Sequence, residues 1–376
     1  MGYAGARGGD DAILAAEELV RRGRDSGGSE WLATDQIIER LRFAVDRVMG
    51  EAGLWAPDLA ARAIRQSEGD VLEAAQLLRA HRSTLPRLAY SEAVPVTELR
   101  ALRRISSAFR NPPGRQILGR TLDYVGRLLD LMPEDEARAA AEPHNHQPGD
   151  AHAHSHSHSR AEHADRYPPR VLNLLRGMDL LVERRTGADP EPYDITRSPA
   201  RPGAPRSAVL SALARAETGA LTHLWYTQRF DPRKPGHEIP GEVRHGSLPV
   251  RVRHPVTGNP VTVTEVRATD VETFDDLDRP TEDRSRIDVG YGLCFGHNER
   301  KAIAMAGLDL AVHRDAGATG VAQEVLMTLD GVEASGFLEH LKLPHYVDFR
   351  STLERKQAMR AARTDSERKL VGAEPA

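Results

Sequence analysis

The stretch Tyr291-Gly292-Leu293-Cys294-Phe295-Gly296-His297-Asn298-Glu299-Arg300-Lys301 joins two segments of different periodicity. The apolar run 289–295, which glycines interrupt, predicts a buried strand. The segment from Glu299 to Val312 predicts a helix, and Asn298 is suited to cap its first turn. The C-terminal half is therefore predicted to combine strands with helices.

A hairpin is predicted upstream of this strand. Leu248-Pro249-Val250-Arg251-Val252-Arg253 and Val261-Thr262-Val263-Thr264-Glu265-Val266 alternate apolar and polar residues, and Thr257-Gly258-Asn259 lies between them. Alternation with a period of two is typical of a half-buried strand, and a turn that contains glycine joins antiparallel neighbours. The polar run 275–288 is predicted to be an exposed loop.

Toward the N-terminus the pattern is helical. Apolar residues recur at helical spacing over 37–49, and Gly50 and Gly53 are expected to end that helix. A further helix is predicted to begin at Asp70, with Glu73 three residues later as in a capping box.

The 376 residues are enough for two or three hydrophobic cores. We predict a multi-domain α+β fold. Its parts are a mainly helical domain 1–140, a His-rich insertion 141–168, a helix and Pro-rich linker 169–206, a mixed α/β domain 207–350, and a C-terminal helix and tail 351–376.

Charge and cysteine content narrow the functional classes. The chain has 51 Lys and Arg against 55 Asp and Glu, a net charge of −4, which argues against a protein that coats nucleic acid. One cysteine, Cys294, excludes a disulfide framework and an iron–sulfur cluster held by this chain alone. No signal sequence or apolar run of membrane-spanning length is found. We expect a cytoplasmic protein without a nucleic-acid or membrane partner.

Seven histidines lie between residues 142 and 163: His144, His146, His152, His154, His156, His158 and His163. Unprotonated imidazoles at alternating positions can chelate zinc, nickel or copper. A solvated insertion with incidental metal binding is the alternative interpretation. A metal-storage or metal-delivery function would rest on this tract alone.

The strand–turn–helix unit quoted above is a candidate phosphate site. Helix-start N–H groups, Gly296 for close approach, and the cations Arg300 and Lys301 all suit a phosphate. An ordinary capped helix with a polar face explains the same residues equally well.

A second candidate site is the histidine pair in Glu339-His340-Leu341-Lys342-Leu343-Pro344-His345-Tyr346. Pro344 should prevent one regular helix from carrying both rings, and their spacing differs from that of a helical zinc motif. A bend at Leu343-Pro344 could turn both imidazoles toward one metal ion that has a third ligand elsewhere. Without such a ligand, two neighbouring histidines are more often structural.

Two further polar segments could meet a nucleotide. Gln228 and Arg229 end the segment 222–229, in which Trp225 is better explained by a core or interface position. The cationic segment 103–110 could steer a polyphosphate, although a solvated helix face paired with carboxylates is the simpler explanation.

Several segments together resemble the PhnI family of bacterial carbon–phosphorus lyase subunits. They include Thr84-Leu85-Pro86-Arg87, Thr121-Leu122-Asp123-Tyr124, Tyr226-Thr227-Gln228-Arg229, Glu299-Arg300-Lys301-Ala302 and the block from Glu339 to Phe349. The resemblance spans nearly the whole chain. Arg7 stands where the family usually has lysine, and the His-rich segment looks like an insertion.

This resemblance implies a subunit of a core complex with PhnG, PhnH and PhnJ, joined by the ATP-binding proteins PhnK and PhnL, in phosphonate catabolism. Family members look like enzymes that displace adenine of ATP, or guanine of GTP, by an alkylphosphonate oxygen at ribose C1′. The product is α-D-ribose 1-methylphosphonate 5-triphosphate. Acting alone, they look like nucleosidases. A scaffold that mainly positions PhnJ is the alternative function.

Residue roles follow from the same resemblance. The two histidines of the family block bind zinc at the boundary with PhnJ, and here they are His340 and His345. Displacement at C1′ needs a proton for the leaving base, a carboxylate near the oxocarbenium-like centre, and cations for the triphosphate. The expected catalytic groups are Glu299 and Asp123, and the expected nucleotide contacts, with magnesium, are Arg300, Lys301, Arg229 and Gln228.

Overall fold

A computed structural model of the chain describes residues 9–125, 127–141, 167–184, 187–188, 190–229, 238–277, 282–314 and 320–371. The predictions for the histidine tract 142–163 and for Arg7 fall outside these residues.

Helices dominate the described residues, and four strands interrupt them. The N-terminal helices are α1 (Asp10–Asp25), α2 (Thr34–Arg40), α3 (Arg42–Ala52), α4 (Pro57–Gln66) and α5 (Val71–Thr84). A 3₁₀ turn (Val96–Glu98) and strand β1 (Arg100–Ile105) precede α6 (Glu134–Ala141), α7 (Val171–Gly177), α8 (Arg206–Arg215) and α9 (Thr218–Arg229). The remaining elements are β2 (Ile239–Arg253), β3 (Pro260–Asp276), β4 (Ile287–Phe295), α10 (Glu299–Arg314), α11 (Gly320–Gln323), a π-helical turn (Glu324–Thr328), α12 (Gly331–His340) and α13 (Tyr346–Val371). This arrangement confirms the α+β fold class.

The N-terminal helices differ from the predicted pattern at one point. The apolar positions of 37–49 belong to two helices, because Leu41 leaves the helical conformation between α2 and α3 with φ −107° and ψ 37°. Gly50 lies inside α3, where an added Cβ would be 3.2 Å from the Phe295 carbonyl oxygen. Only Gly53 ends the helix, with φ +67°.

The predicted cap of α5 is confirmed. Asp70 Oδ1 accepts hydrogen bonds from the backbone N–H groups of Leu72 and Glu73, at 2.9 and 3.1 Å. Helices α2 to α5 then close around one apolar core, whose members are Ile37, Val45, Val48, Met49, Ala52, Ala60, Ala61, Ala63, Ile64, Ala74 and Leu78.

The four strands form one antiparallel sheet in the order β1-β2-β3-β4. Strand β1 comes from the part that we predicted to be mainly helical, so this part also contributes an edge of the sheet. Strands β2 and β3 form the predicted hairpin, with Arg253 opposite Pro260, but they extend well beyond 248–266. The tip of the hairpin is more exposed than predicted: Val261 and Val263 are 42% and 57% exposed.

Helix α10 lies unusually close to β4. An added Cβ on Gly290 would clash with the carbonyl oxygen of Ala306, and one on Gly292 would clash with that of Ala302. The two glycines therefore permit the helix backbone to rest on the strand backbone. The main core forms around this contact, with Leu213 and Leu221 from the preceding helices at full burial.

Among the described helices, none is both long and apolar enough to cross a bilayer.

We expect Gly292→Ala to destabilise the protein. The new methyl group would push α10 away from β4, and such overpacking costs about 1–3 kcal/mol of unfolding free energy. Gly23→Ala, in α1, is the matched control, since no atom lies within 4 Å of its added Cβ. Chemical denaturation of both variants measures the difference; an equal midpoint for Gly292→Ala and the natural chain would contradict the close packing.

Candidate active site at the end of strand β4

Strand register places three polar side chains in a row on the sheet face that α10 covers. Arg103 of β1 is opposite His245 of β2, and His245 is opposite Thr269 of β3. Residues directly opposite each other in a sheet share a face, whereas neighbours along a strand do not. Arg103 and Arg104 therefore leave the sheet on opposite sides.

The turn after β4 is fixed to this row by hydrogen bonds. Thr269 Oγ1 donates to the Gly296 carbonyl oxygen at 2.7 Å and accepts from the Asn298 backbone N–H at 3.2 Å. Asn298 caps α10 as predicted, because its Oδ1 accepts from the Lys301 backbone N–H at 3.2 Å. The side chains of this turn are thus held beside the sheet.

Asp46 of α3 closes the turn from the other side. It is fully buried and accepts from the His297 backbone N–H at 2.9 Å and from Arg267 at 3.3 Å. Gly296 has φ +73° and lies against Asp46, so that a side chain there would meet both backbone strain and a clash.

Arg103 joins the two carboxylates predicted to be catalytic. Its guanidinium is 1% exposed and donates to both Glu299 and Asp123. Burial opposes the ionisation of Glu299, but hydrogen bonds from His297 and Arg103 outweigh it and lower the pKa of Glu299 below its usual value. The structure thus brings Glu299 and Asp123, which are distant in sequence, to one cation.

His297 stands next to this group. Its Nε2 is 3.5 Å from Glu299 Oε1, and its ring stacks on that of His245, with centroids 4.2 Å apart and planes 11° from parallel. Burial, together with the charges of His297 and Arg267, lowers the pKa of His245 to about 3. His245 is therefore neutral, and its ring provides the surface on which the His297 ring is stacked.

Arg42 and Arg267 lie near His245, and the exposed Arg120 lies near Arg42. Burial and the neighbouring Arg120 lower the pKa of Arg42, with a smaller contribution from Arg267. The Nε of Arg42 is buried and has no hydrogen-bond partner among the described residues. Arg42 and Arg267 lie over the rings of Phe43 and Trp55, at 4.5 and 5.6 Å. Arginines that repel one another in this way would be stabilised by an anion bound between them.

The predicted phosphate contacts are not all together. Arg300 is exposed and lines a groove of about 530 Å³ between α9 and α10, beside Thr222 and Tyr226. Lys301 is buried, and its Nζ donates to the Ala216 carbonyl oxygen at 2.7 Å. Consecutive residues of a helix differ in direction by about 100°, so the expectation that both cations face one phosphate is corrected.

The segment 222–229 forms most of α9. Gln228 is half-buried there, and Arg229 is described only as the last residue of the helix. Trp225 packs against the main core and donates to Glu238 at 2.7 Å, which supports its core interpretation.

Arg104 belongs to a buried ionic network on the opposite face, which the sequence did not indicate. It donates to Glu242, while Arg244 donates to Asp270 at 2.6 Å. Burial raises the pKa of Glu272 in the same network to about 7, against the effect of nearby arginines. The expectation of a solvated helix face at 103–110 is corrected, because Arg103 and Arg104 are buried in a strand.

The histidine pair lies far along the chain, between α12 and α13. The His340 and His345 rings are both exposed, with centroids 4.9 Å apart. His345 Nδ1 donates to the Leu343 carbonyl oxygen at 2.6 Å, which leaves Nε2 for a metal ion. No group of three possible ligands occurs among the described residues. The pair therefore fits two of the ligands of a metal site.

Comparison with known proteins identifies the family. The model of the bacterial phosphonate metabolism protein family PhnI matches residues 2–363. The chain belongs to the PhnI family. It is 40% identical over 364 residues to the α-D-ribose 1-methylphosphonate 5-triphosphate synthase subunit PhnI of Escherichia coli (strain K12), covering 94% of this chain and 96% of that protein. It is 38% identical over 371 residues to the PhnI subunit of that synthase from Rhizobium meliloti (strain 1021), covering 95% of each.

The family match confirms the resemblance inferred from the sequence motifs, and it includes every residue of the cluster around Arg103. His245, Arg42 and Arg267 had no recognisable sequence signal, because each lies in an ordinary strand or helix pattern. His297 lay within the quoted turn, but only its contact with Glu299 distinguishes it.

The lowered pKa of Glu299 predicts a pH dependence. A carboxylate whose pKa is lower in the folded state stabilises the fold above its unfolded pKa and loses this effect as pH falls through the folded pKa. Glu299→Gln should therefore lose less stability than the natural chain between pH 5 and pH 3. Glu39→Gln, at an exposed position in α2, is the control. The free energy of unfolding would be measured by chemical denaturation at several pH values. An equal fall for the natural chain and Glu299→Gln between pH 5 and pH 3 would contradict the lowered pKa of Glu299.

Proposed function

We propose that this chain displaces the purine base of ATP or GTP by an alkylphosphonate and so forms α-D-ribose 1-methylphosphonate 5-triphosphate. Two of its relatives are named as subunits of the synthase of that compound and are aligned over nearly their whole length. The single observation that carries the proposal is the contact of Arg103 with both Glu299 and Asp123 beside His297.

The reaction forms one bond and breaks one. A phosphonate oxygen attacks ribose C1′, the bond from C1′ to the purine N9 breaks, and its electron pair leaves with the base, which takes up a proton. A single displacement converts the β configuration of a nucleotide into the α configuration of the product. The enzyme must stabilise positive charge at C1′ and supply the proton.

The cluster offers a group for each requirement. Glu299, kept ionised by its low pKa, can stabilise positive charge at C1′. His297 can donate a proton to the departing base, and the neutral His245 beneath it holds the ring by stacking. Asp123 is 42% exposed, so it can also meet the ribose or the phosphonate.

The positive charges near the cluster around Arg103 support a polyphosphate substrate there. Arg42 and Arg267 lie near the cluster, and Arg120 lies near Arg42. Among the described residues, the buried Asp46 forms an ion pair with Arg267 and also attracts Arg42. A triphosphate, with magnesium, would relieve the repulsion between these cations. Arg300 then faces a separate groove, where Tyr226 offers a flat surface.

We further propose the setting of the reaction. The chain would act in the cytoplasm within a carbon–phosphorus lyase core complex with PhnG, PhnH and PhnJ, served by PhnK and PhnL. When isolated it would use water in place of the phosphonate and act as a nucleosidase.

Zinc is proposed at the histidine pair. His340 and His345 would hold the ion through their ring nitrogens, and a partner subunit would complete the ligand set, because no group of three possible ligands occurs among the described residues. A bound zinc ion supplies Lewis-acid chemistry to an oxygen ligand. The Leu343 carbonyl oxygen accepts a hydrogen bond from His345 Nδ1 and so orients the ring, which leaves Nε2 as the ligand atom.

A scaffold function is the second proposal, and a specific surface favours it. Six large apolar residues around the histidine pair are more than half exposed: Phe337, Leu338, Leu341, Tyr346, Val347 and Phe349. Exposed apolar patches of this kind are typical of protein interfaces. If the chain releases no adenine alone or in the complex, yet is needed for assembly, the scaffold function is the correct one.

Replacement of His297 or Glu299 should greatly reduce the release of adenine from ATP. In the complex with its partner subunits, His297→Gln and Glu299→Gln should each reduce adenine release from ATP by roughly 10²- to 10⁴-fold, as expected for loss of a proton donor or an electrostatic group. His81→Gln, at an exposed position in α5, is the control. Adenine release would be followed by chromatography, and undiminished turnover of both variants would remove the cluster from the mechanism.

Zinc content tests the histidine pair separately from activity. We expect the complex that carries His340→Ala and His345→Ala together to contain less zinc than the natural complex by one ion per copy of this chain, measured by inductively coupled plasma mass spectrometry. His254→Ala, at the exposed hairpin tip, should keep the natural content. Equal zinc in all three complexes would exclude these ligands.

A further inference from the structure

A cavity of about 750 Å³ lies at the C-terminal end of α3, where Gly50 and Gly53 line it. The segments 87–91 and 191–197 form its rim, and the residues 293–295 of β4 form part of its wall. Four arginines and two tyrosines line it: Arg82, Arg87, Arg197, Arg215, Tyr90 and Tyr193.

Hydrogen bonds hold the two rim segments together. Arg87 donates to Asp194 at 2.6 Å and to Thr196 Oγ1 at 2.8 Å. Arg197 donates to the Tyr90 hydroxyl oxygen at 2.6 Å. The rim is therefore built before any ligand binds, so that a ligand would meet a preformed site.

Arg82 places a positive charge, without an ion-pair partner in the described part of the chain, at the inner wall of this cavity. Its Nη1 donates to the Gly53 carbonyl oxygen at 3.2 Å, and no carboxylate among the described residues forms an ion pair with it. Burial lowers the pKa of Arg82, and the neighbouring Arg215, Arg79 and Arg87 lower it further, against a smaller opposite effect of Asp194. Half-buried cations that repel one another favour the binding of an anion between them.

Arg215 supplies the second cation at the inner wall. It pairs with Glu333 at 2.8 Å and with Asp330 at 3.6 Å, yet burial and the neighbouring Arg79 lower its pKa despite these two partners. The Tyr90 hydroxyl accepts hydrogen bonds from both Arg197 and Arg87, which leaves its own O–H to donate. The lining has two acidic residues: Asp194 accepts from Arg87 at the rim, and Glu191 is exposed.

We infer that this cavity is a second binding site, separate from the active site, for the phosphoryl groups of a small polyanion, which Arg82, Arg215 and the Tyr90 hydroxyl would contact. Its volume is within the range of cavities that bind ligands of nucleotide size. The guanidinium groups offer several N–H donors in the planar arrangement that suits phosphoryl oxygens.

The position on α3 separates this site from the proposed catalytic cluster. Asp46 contacts the cluster, whereas Gly53 contacts Arg82 in the cavity. Seven residues of helix correspond to about 10 Å along its axis. The two sites therefore meet α3 at different points, and the lining of the cavity does not include Arg103, Asp123, His297 or Glu299.

Residue-resolved arginine footprinting tests this inference on the full chain. Phenylglyoxal modifies accessible guanidinium groups, and mass spectrometry of peptides gives a separate rate for each arginine. At a pyrophosphate concentration tenfold above its Kd, modification of Arg82 and Arg215 should slow by about tenfold, because only the unliganded fraction reacts. The control is Arg62, an exposed arginine of α4 whose rate should not change.

Parallel samples with ATP, inorganic phosphate and adenosine identify the source of the phosphoryl groups. Protection by ATP well beyond that by pyrophosphate would indicate a nucleotide, and equal protection would indicate an inorganic polyphosphate. Protection by adenosine alone, or protection confined to Arg42, Arg267 or Arg300, would overturn the inference. So would rates at Arg82 and Arg215 that do not change with any phosphate.

The Glu299→Gln variant separates this inference from the proposed function. If Glu299→Gln no longer releases adenine but pyrophosphate still fully protects Arg82, both the catalytic role of Glu299 and the separate cavity site are supported. Arg82→Gln should weaken pyrophosphate binding at least tenfold by isothermal titration calorimetry in the Glu299→Gln background, and unchanged affinity there would contradict the cavity site alone.

Discussion

The close contact between β4 and α10 is the constraint on which the rest of the structure depends. Gly290 and Gly292 present no side chain to the helix, so that the helix carbonyl groups lie directly on the strand. This short distance fixes where the intervening turn must run. Thr269 and Asp46 then hold the turn from two sides, and Glu299 emerges beside the sheet with its direction set by the helix start.

Burial of charge is the second organising feature. Alternation along β1 sends Arg103 to one face of the sheet and Arg104 to the other. On the α10 side, Arg103 is shared by two carboxylates of which Asp123 is partly exposed, so the ionic cluster opens toward solvent. On the far side, Arg104 and Glu242 are fully enclosed. An enclosed pair holds a fold in place, whereas a partly open one can exchange a partner for a substrate.

The junction of α12 and α13 exposes large apolar side chains. Around His340 and His345 the surface is apolar, although a charged surface would be expected for helices on the outside of a protein. Two histidines are too few to complete a metal site, and the apolar side chains around them are left exposed by the described part of the chain. They are consistent with one proposal, in which another subunit covers the surface and completes the metal site.

Local sequence patterns determined several of the elements, two helix caps and the family, but not strand β1 or the break between α2 and α3. Periodicity located β4, α10 and the hairpin, Asp70 and Asn298 identified helix starts, and the motif blocks identified PhnI, because each signal depends on residues close in sequence. Tertiary structure alone decided the site. It separated Lys301 from Arg300 through helical rotation, placed Arg103 in a strand, and joined Glu299, Asp123 and His297. Contacts between segments this far apart depend on strand register and helix packing, which no local pattern specifies.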